Sequence, residues 1–566
     1  MRSPSDHARL PTGLTALLLL CAAGCSGSPA GEPEPTLDAG RLGVDAAHGD
    51  AGRDQLPPAA FVAAYNALAR EAAASVLEEG GSAADAFIAA TLVEYVIASS
   101  GVTTLAGPLG VMVYDPAEGE VLSLEANMTA PSSAEGLYDP SAPTRGDTAM
   151  VPGAPRALEA LSLRYGKLPW ARLVAPAQRV AAEGFEVDAA YAYGIEASRT
   201  ILERSAYGRR TFFDEAGEPL GVGAVLRQPE LARFLGRFAE EGAAAFYEGP
   251  FAAEYAQVVA EAGGAVTRAD LAAYEVRFEE PWMVPYRDAQ VYGQSGRAYG
   301  GPWVLLGLAA LERGGVSFED AAEVDRLELL LRTARSVHQE AWFFDAATLD
   351  DPAQVGRRLA SPDAVWARVE AGAPETASRS RGSHSFHVTA RDHDGLVVTG
   401  THTIHSYGWG EGLFVEGVVL SAAGTHTHLI GGPGERMLSA LANHVALRDG
   451  SLVFAGGTFG SALLEAQLQL VVAAVDEGLS ATEAGSRPRF GTFPFDGTTV
   501  DVDRNWISTE VSPRVVSALE SRGLLLTADP YGDLGFGTFV IARGGEVTGG
   551  TLSGWIEGDV RYVESR

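Results

Sequence analysis

The sequence predicts an α+β fold of stacked helix and sheet layers, on three observations. Through most of the chain before Ser383, apolar residues recur at helical spacing, in segments closed by glycine. Past Ser383 the period changes to two, and short alternating runs follow one another. There is no internal repeat of the kind a solenoid or propeller would carry.

Each element has its own signal. Residues 59–79 are rich in Ala, Leu and Glu and predict a helix stopped at Gly80-Gly81. Ser82 caps a second helix, with Asp85 completing a capping box. Residues 111–114 predict a strand that ends in the turn Asp115-Pro116. Residues 154–260 predict mostly helix, with helical apolar spacing clearest at 230–240 and 252–262. Residues 284–292 predict extended chain, and 303–312 and 325–344 predict helices. The polar, irregular stretch 372–383 predicts a loop. Strands follow at 385–391, 396–404, 413–420, 452–455, 536–543 and 547–553, with a helix at 461–477.

The N-terminus is a different material. Arg2 and Arg9 precede a mostly apolar run from Leu14 to Leu20, and Ala22-Ala23-Gly24 lead to Cys25. A basic start, a short apolar centre and small residues at the cut describe an export signal over 1–24. The cysteine at that position resembles a bacterial lipoprotein signal with Cys25 lipidated; the alternative is an ordinary signal peptide with an incidental cysteine. Residues 25–57, rich in Pro, Gly, Asp and Ala, predict a disordered tether. No later run of 18 apolar residues predicts a membrane span. Export and a lipid anchor imply the periplasm or cell envelope. With only Cys21 and Cys25 in the chain, the folded part has no internal disulfide.

A net charge of −31 repels phosphate backbones and anionic lipid, so nucleic acid is excluded as a partner. The candidate chemistry lies in the run His384-Ser385-Phe386-His387-Val388-Thr389, with Thr401-His402-Thr403-Ile404-His405 after it. It places a hydroxyl at the start of one strand and another on the next, across a turn at Asp392-His393-Asp394-Gly395. Such a layout suits Ser385 as an N-terminal nucleophile, exposed by cleavage of the bond His384–Ser385.

Several stretches add a family. They include Gly80-Gly81-Ser82-Ala83-Ala84-Asp85-Ala86, Val151-Pro152-Gly153, Tyr165-Gly166-Lys167-Leu168-Pro169-Trp170, Leu226-Arg227-Gln228-Pro229 and Arg487-Pro488-Arg489-Phe490. In this order and spacing, residues 58–566 resemble the gamma-glutamyltranspeptidase family. The resemblance implies an N-terminal-nucleophile hydrolase, a four-layer αββα sandwich that cuts itself into two fragments which stay associated. Here these would be 58–384 and 385–566. It places the nucleophile on Ser385, where the family has threonine, and the hydroxyl that supports it on Thr403. The oxyanion loop falls on Gly457-Thr458-Phe459-Gly460-Ser461, with the Gly460 and Ser461 N–H groups as donors. The substrate-holding positions fall on Asn127, His405, His426 and Ser439, and most carry residues foreign to the family. The arginine that would clamp a carboxylate is Asn127, and the family's amino-group ligands become Ala423 and His426.

The resemblance thus implies an amide hydrolase or acyl transferase for gamma-glutamyl or related acyl amides or peptides, without a cofactor. Three alternatives stand beside it. One is an inactive, lipid-anchored binding protein, motivated by the rebuilt pocket. A second is a metal-dependent hydrolase, motivated by eight histidines between 384 and 444, with His426 and His428 expected on one strand face. The third moves the nucleophile to Ser383 by a register slip of two residues.

Overall fold

Phe61 and Val62 leave one strand in opposite directions and enter two different apolar cores, as the two-residue period of a strand requires. The computed structural model describes residues 60–98, 101–133, 137–372, 385–492, 504–529, 532, 534–552, 554 and 556–564. The expected export signal, Cys25, the tether, Ser383 and His384 lie outside the described residues.

Thirteen strands build two large sheets among the described residues. In chain order they are β1 (Ala60–Ala64), β2 (Leu109–Asp115), β3 (Glu120–Ala126), β4 (Arg277–Glu279), β5 (Trp282–Tyr286), β6 (Ala289–Gly293) and β7 (Ser385–Arg391). Then come β8 (Val397–Thr403), β9 (Ala442–Arg448), β10 (Ser451–Phe459), β11 (Phe536–Arg543), β12 (Glu546–Leu552) and β13 (Asp559–Val563). The first sheet runs β13-β1-β7-β8-β2-β3-β4 and the second β12-β11-β10-β9-β6-β5. Every neighbour in both is antiparallel.

Helices cover the outer faces. The core that holds Val62, Val388, Ala390 and Val398 is closed by α1 (Ala67–Glu78), α2 (Ala83–Ile97), α3 (Trp170–Glu183) and α4 (Pro229–Glu241). On the other side α5 (Gly300–Gly314), α6 (Glu323–Val337) and α7 (Leu463–Val475) pack on Val291, Ala446, Phe454 and Phe539. Between the sheets lie Phe61, Met112, Tyr114, Val397, Val445, Ala455 and Val540. The layers are therefore α, β, β, α, as expected.

The sequence stretches near Ser82 and Lys167 meet at one carboxylate. Asp85 Oδ2 accepts the N–H groups of Ser82 (2.9 Å), Lys167 (2.8 Å) and Leu168 (3.1 Å). The capping box is present, and the Ala83 N–H donates to Asp392 Oδ2 at 3.1 Å. The start of α2 is thereby tied to the turn between β7 and β8.

Some expectations are corrected. Residues 59–79 are not one helix: 60–64 form β1, paired on both edges, and Asn66 caps α1. Tertiary pairing overrides the alanine composition there. The extended stretch 284–292 is a hairpin of β5 and β6, with Arg287 at φ 55° in the turn. The stretch 413–420 is two short strands, Phe414–Val415 and Val418–Val419, about Glu416 and Gly417, both at positive φ. The helix expected to 344 ends at Val337, and a 3₁₀ turn follows at Ala341–Phe344. His426 and His428 do not share a strand face; they sit in and beside 3₁₀ turns at Ala423–Thr425 and Thr427–Leu429. Strands β3, β9 and β13, with Arg504–Ser508 and Leu525–Asp529, were not expected.

Candidate active site

Ser385 opens β7 and Thr403 closes β8, and the two are paired directly across the antiparallel ladder. Both are buried. Alternation turns Ser385, His387 and Thr389 toward the second sheet, and Thr399, Thr401 and Thr403 likewise. The His405 N–H donates to Thr403 Oγ1 at 2.9 Å, so that oxygen accepts there.

The second sheet brings its own end to the same place. Phe459, the last residue of β10, packs against Phe386 with ring centroids 6.0 Å apart. Gly460 and Ser461 follow at once, and Gly460 turns the chain at φ 94°. Only these two residues of the expected oxyanion loop leave the ladder, because Gly457, Thr458 and Phe459 are still paired to β11.

The expected pocket residues gather through a ring of backbone contacts. Ser421 Oγ donates to Ile404 O, and the Gly424 N–H donates to Thr148 O at 2.8 Å. Thr129 bridges to Val151 and to Arg436, and the Leu438 N–H donates to Leu429 O at 2.7 Å. This ring brings Asn127, His405, His426 and Ser439 to one end of the sheet stack. The His405 and His426 rings lie 5.6 Å apart. Burial, with His426 beside it, pushes the His405 imidazole down to about 3, so His405 is neutral at pH 7. Asn127 is 1% exposed, and neither its amide nitrogen nor its oxygen has a hydrogen-bond partner. Ser439 Oγ is equally buried and unpartnered. The neighbouring cations are already committed: Arg436 to Glu125 at 2.6 Å, and Arg297 to Asp350 at 2.6 Å and Glu435 at 3.2 Å.

Beneath Ser385 runs a polar network that ties the two sheets. Asn443 Nδ2 donates to Gly110 O (3.0 Å) and Gln294 Oε1 (2.7 Å). Its Oδ1 accepts from Thr401 Oγ1 and His387 Nε2, each at 2.9 Å. His387 Nδ1 then accepts from Thr538 Oγ1 at 2.7 Å, and Thr389 Oγ1 donates to Thr538 O at 3.0 Å. One proton arrangement, with His387 neutral and carrying its proton on Nε2, satisfies these bonds. Burial holds the His387 imidazole down at about 3, against a weaker upward pull from Asn443.

Sequence reasoning missed Asn443, Gln294 and Thr538, which sit on unexpected or unremarked strand positions. It also missed Glu94 and its pairing with His402. The alternation of hydroxyls along 385–389 and 399–403 was the available signal for this network. Among the described residues, no group of three or more His, Cys, Asp or Glu gathers to hold a metal ion. Among the described residues, the histidines thus form no three-ligand set for the metal-dependent alternative.

Two antiparallel sheets between helix layers, with a hydroxyl residue opening a central strand at the shared end, define an N-terminal-nucleophile hydrolase fold. A cephalosporin acylase from Bacillus halodurans has this fold, with a TM-score of 0.77 over 93% of this chain and 100% of that one, at 22% identity. A glutathione hydrolase proenzyme of Escherichia coli (strain K12) is 26% identical over 509 residues, 82% of this chain and 85% of that protein. An acylase ACY 1 proenzyme of Pseudomonas sp. (strain SE83) is 27% identical over 530 residues, 86% of this chain and 91% of that protein. The gamma-glutamyltranspeptidase family description matches residues 69–551. The chain belongs to the gamma-glutamyltranspeptidase family, and it is an enzyme of the hydrolase and acylase type that family contains.

Proposed function

We propose that this protein is a self-processing amidase or acyl transferase whose nucleophile is Ser385. The observation that carries the reading is the placement of Ser385. It opens a central strand, faces the second sheet, lies opposite Thr403, and sits beside the strand end that leads into Gly460. In the first step Ser385 Oγ attacks the carbonyl carbon of His384. The C–N bond to Ser385 breaks, the nitrogen takes the proton, and an ester forms. Water cleaves that ester, leaving a carboxylate on His384 and a free α-amine on Ser385. In turnover that amine takes the Oγ proton as Oγ attacks a substrate amide, then gives it to the leaving amine. A free α-amine ordinarily titrates at about 8, so a useful fraction is neutral at neutral pH. The Gly460 and Ser461 N–H groups take the developing oxyanion, where one donor is typically worth about 3–4 kcal/mol. Thr403 supports Oγ from across the ladder.

Acyl amides are the substrate class, and the pocket favours an acyl group without a fixed charge. Asn127 and Ser439 offer neutral donors and acceptors, His405 is neutral, and Arg297 and Arg436 are already paired. A zwitterionic gamma-glutamyl group would find no bidentate guanidinium at Asn127. The leader supports export, and Cys25 supports a lipid anchor facing the periplasm or envelope. The two fragments stay together because β7 is hydrogen-bonded between β1 and β8, one strand from each side of the cut.

The test is a gel followed by N-terminal sequencing of the small fragment, then parallel turnover of neutral acyl, glutaryl and gamma-glutamyl p-nitroanilides. A fragment beginning at Ser385 and preference for neutral anilides support the reading. An uncut chain that turns over none of them would make the protein a binding relative instead. A fragment beginning at Ser383 would move the nucleophile there. Loss of detergent partitioning in Cys25→Ala tests the anchor.

A further inference from the structure

Glu94 is wholly buried in α2, among residues that are otherwise almost all apolar. Its Oε2 lies 2.8 Å from His402 Nε2, and His402 is also without exposure. The Tyr95 ring meets the His402 ring edge-on at 5.2 Å. Hydrogen bonding around the pair is poor: both Glu94 carboxylate oxygens, both His402 ring nitrogens and Tyr95 Oη lack a hydrogen-bond partner, so the 2.8 Å approach is a close charge contact and not an aligned bond. A buried acid–imidazole pair so weakly supported costs stability that apolar residues of the same size would not. Nothing in the reaction proposed above uses either group.

What the pair touches suggests why it is there. His402 is the cross-strand partner of Phe386, with ring centroids 6.4 Å apart. Phe386 directly follows Ser385. Its ring packs on Phe459, 6.0 Å away, which directly precedes Gly460. Tyr65 closes the group, stacked on Phe386 at 6.4 Å and edge-on to Phe459 at 5.1 Å. A continuous line of contacts thus runs from α2 through His402 to the immediate neighbours of both the nucleophile and the oxyanion donors. His402 meets Glu94 and Tyr95 of α2, whereas His387 and Thr401 on the alternate positions meet Asn443 of the second sheet, so the line starts on the opposite face of the strands from the polar network.

We propose that Glu94 and His402 are positioning residues that fix the Phe386–Phe459 contact and thereby the spacing between Ser385 Oγ and the Gly460 and Ser461 N–H groups. The proposal rests on Ser385 as nucleophile. Displacements of about 1 Å in such a geometry cost on the order of a hundredfold in rate.

The test follows self-cleavage of freshly synthesised full-length precursor, with thermal unfolding read on the same samples. Glu94→Gln and His402→Phe each leave one partner stranded, and both should slow cleavage and lower the unfolding midpoint. The informative variant is Glu94→Leu/His402→Phe, which removes both polar groups and should recover the midpoint. We expect its cleavage to remain at least tenfold slow, because the clamp is gone while the fold is restored. Wild-type cleavage in that double variant overturns the proposal and leaves the pair a structural element. Ser385→Ala is run alongside: if it still cleaves, the nucleophile reading fails. If Ser385→Ala is inert while the double variant cleaves normally, the positioning role alone falls.

Discussion

Ser385 and Thr403 are the last cross-strand pair of β7 and β8, each within hydroxyl reach of the space between the sheets. The pairing sets a strong expectation for substitution. Ser385→Ala should give a single uncut polypeptide with no amide turnover, seen as one band on a denaturing gel. Ser385→Thr should cut faster than the parent, because the added methyl restricts χ1 and preorganises the hydroxyl. A slower Ser385→Thr would show that the strand end has no room for the methyl.

Gly457, on the second sheet, faces His387 of the first sheet below the nucleophile. A Cβ there would sit 2.0 Å from Asn443 Oδ1 and 2.4 Å from His387 Nε2. Neither group can swing away without losing partners. Gly457→Ala should therefore destabilise the protein by about 1–3 kcal/mol, as overpacking in a dense core does. Denaturant unfolding of an uncut Ser385→Ala background measures it without interference from cleavage.

Asn443 holds Gly110 O, Gln294, Thr401 and His387 together. Asn443→Ala strands several buried groups at once, and each typically costs about 1–3 kcal/mol. We expect a fall in unfolding midpoint larger than for any single threonine of the network, with cleavage slowed as well. A double-mutant cycle with Thr401→Val should show strong coupling.

Much of this was legible in the sequence, for physical reasons that can be named. The strand at 385–391 and the capping box at Ser82 are local signals, and the structure repeats them. Strand β1 was not legible, because Ala-Phe-Val-Ala-Ala reads as helix until β13 and β7 flank it, and β13 is nearly five hundred residues away in the chain. Strand β9 was missed because its buried Asn443 and His444 break the apolar pattern, and their partners lie on other elements, Gly110 in β2 and Gly301 in α5. The strand expected at His426 and His428 alternates in sequence, yet the backbone turns there: the His426 N–H donates to Ala423 O and the Leu429 N–H to His426 O instead of joining a ladder. At the site, residues on strand ends could be placed from register. Glu94 and His402 could not, since their pairing joins a helix to a strand across hundreds of residues.

The buried histidines give the stability a pH dependence with a definite sign. His444 donates from Nε2 to Gly301 O at 3.2 Å, and burial pushes its imidazole down to about 4. The unfolded chain protonates the same ring at about 6.5. Above that value neither state carries the proton, and the contribution to stability is fully present. As pH falls further the unfolded state gains a proton that the folded state refuses, so stability is lost until about 4, where both are protonated. The loss from this one group is about 3 kcal/mol. His387, held down at about 3, adds to it over a wider span. The measurement is denaturant unfolding of the parent and of His444→Gln at neutral pH and at two acidic points down to the folded-state value. His444→Gln should be less stable at neutral pH but should lose less on acidification, so the two curves converge toward the acid end. Parallel curves would mean that the His444 ring takes its proton in the folded state at the ordinary value, which a ring with no exposure and only carbonyl partners should not do.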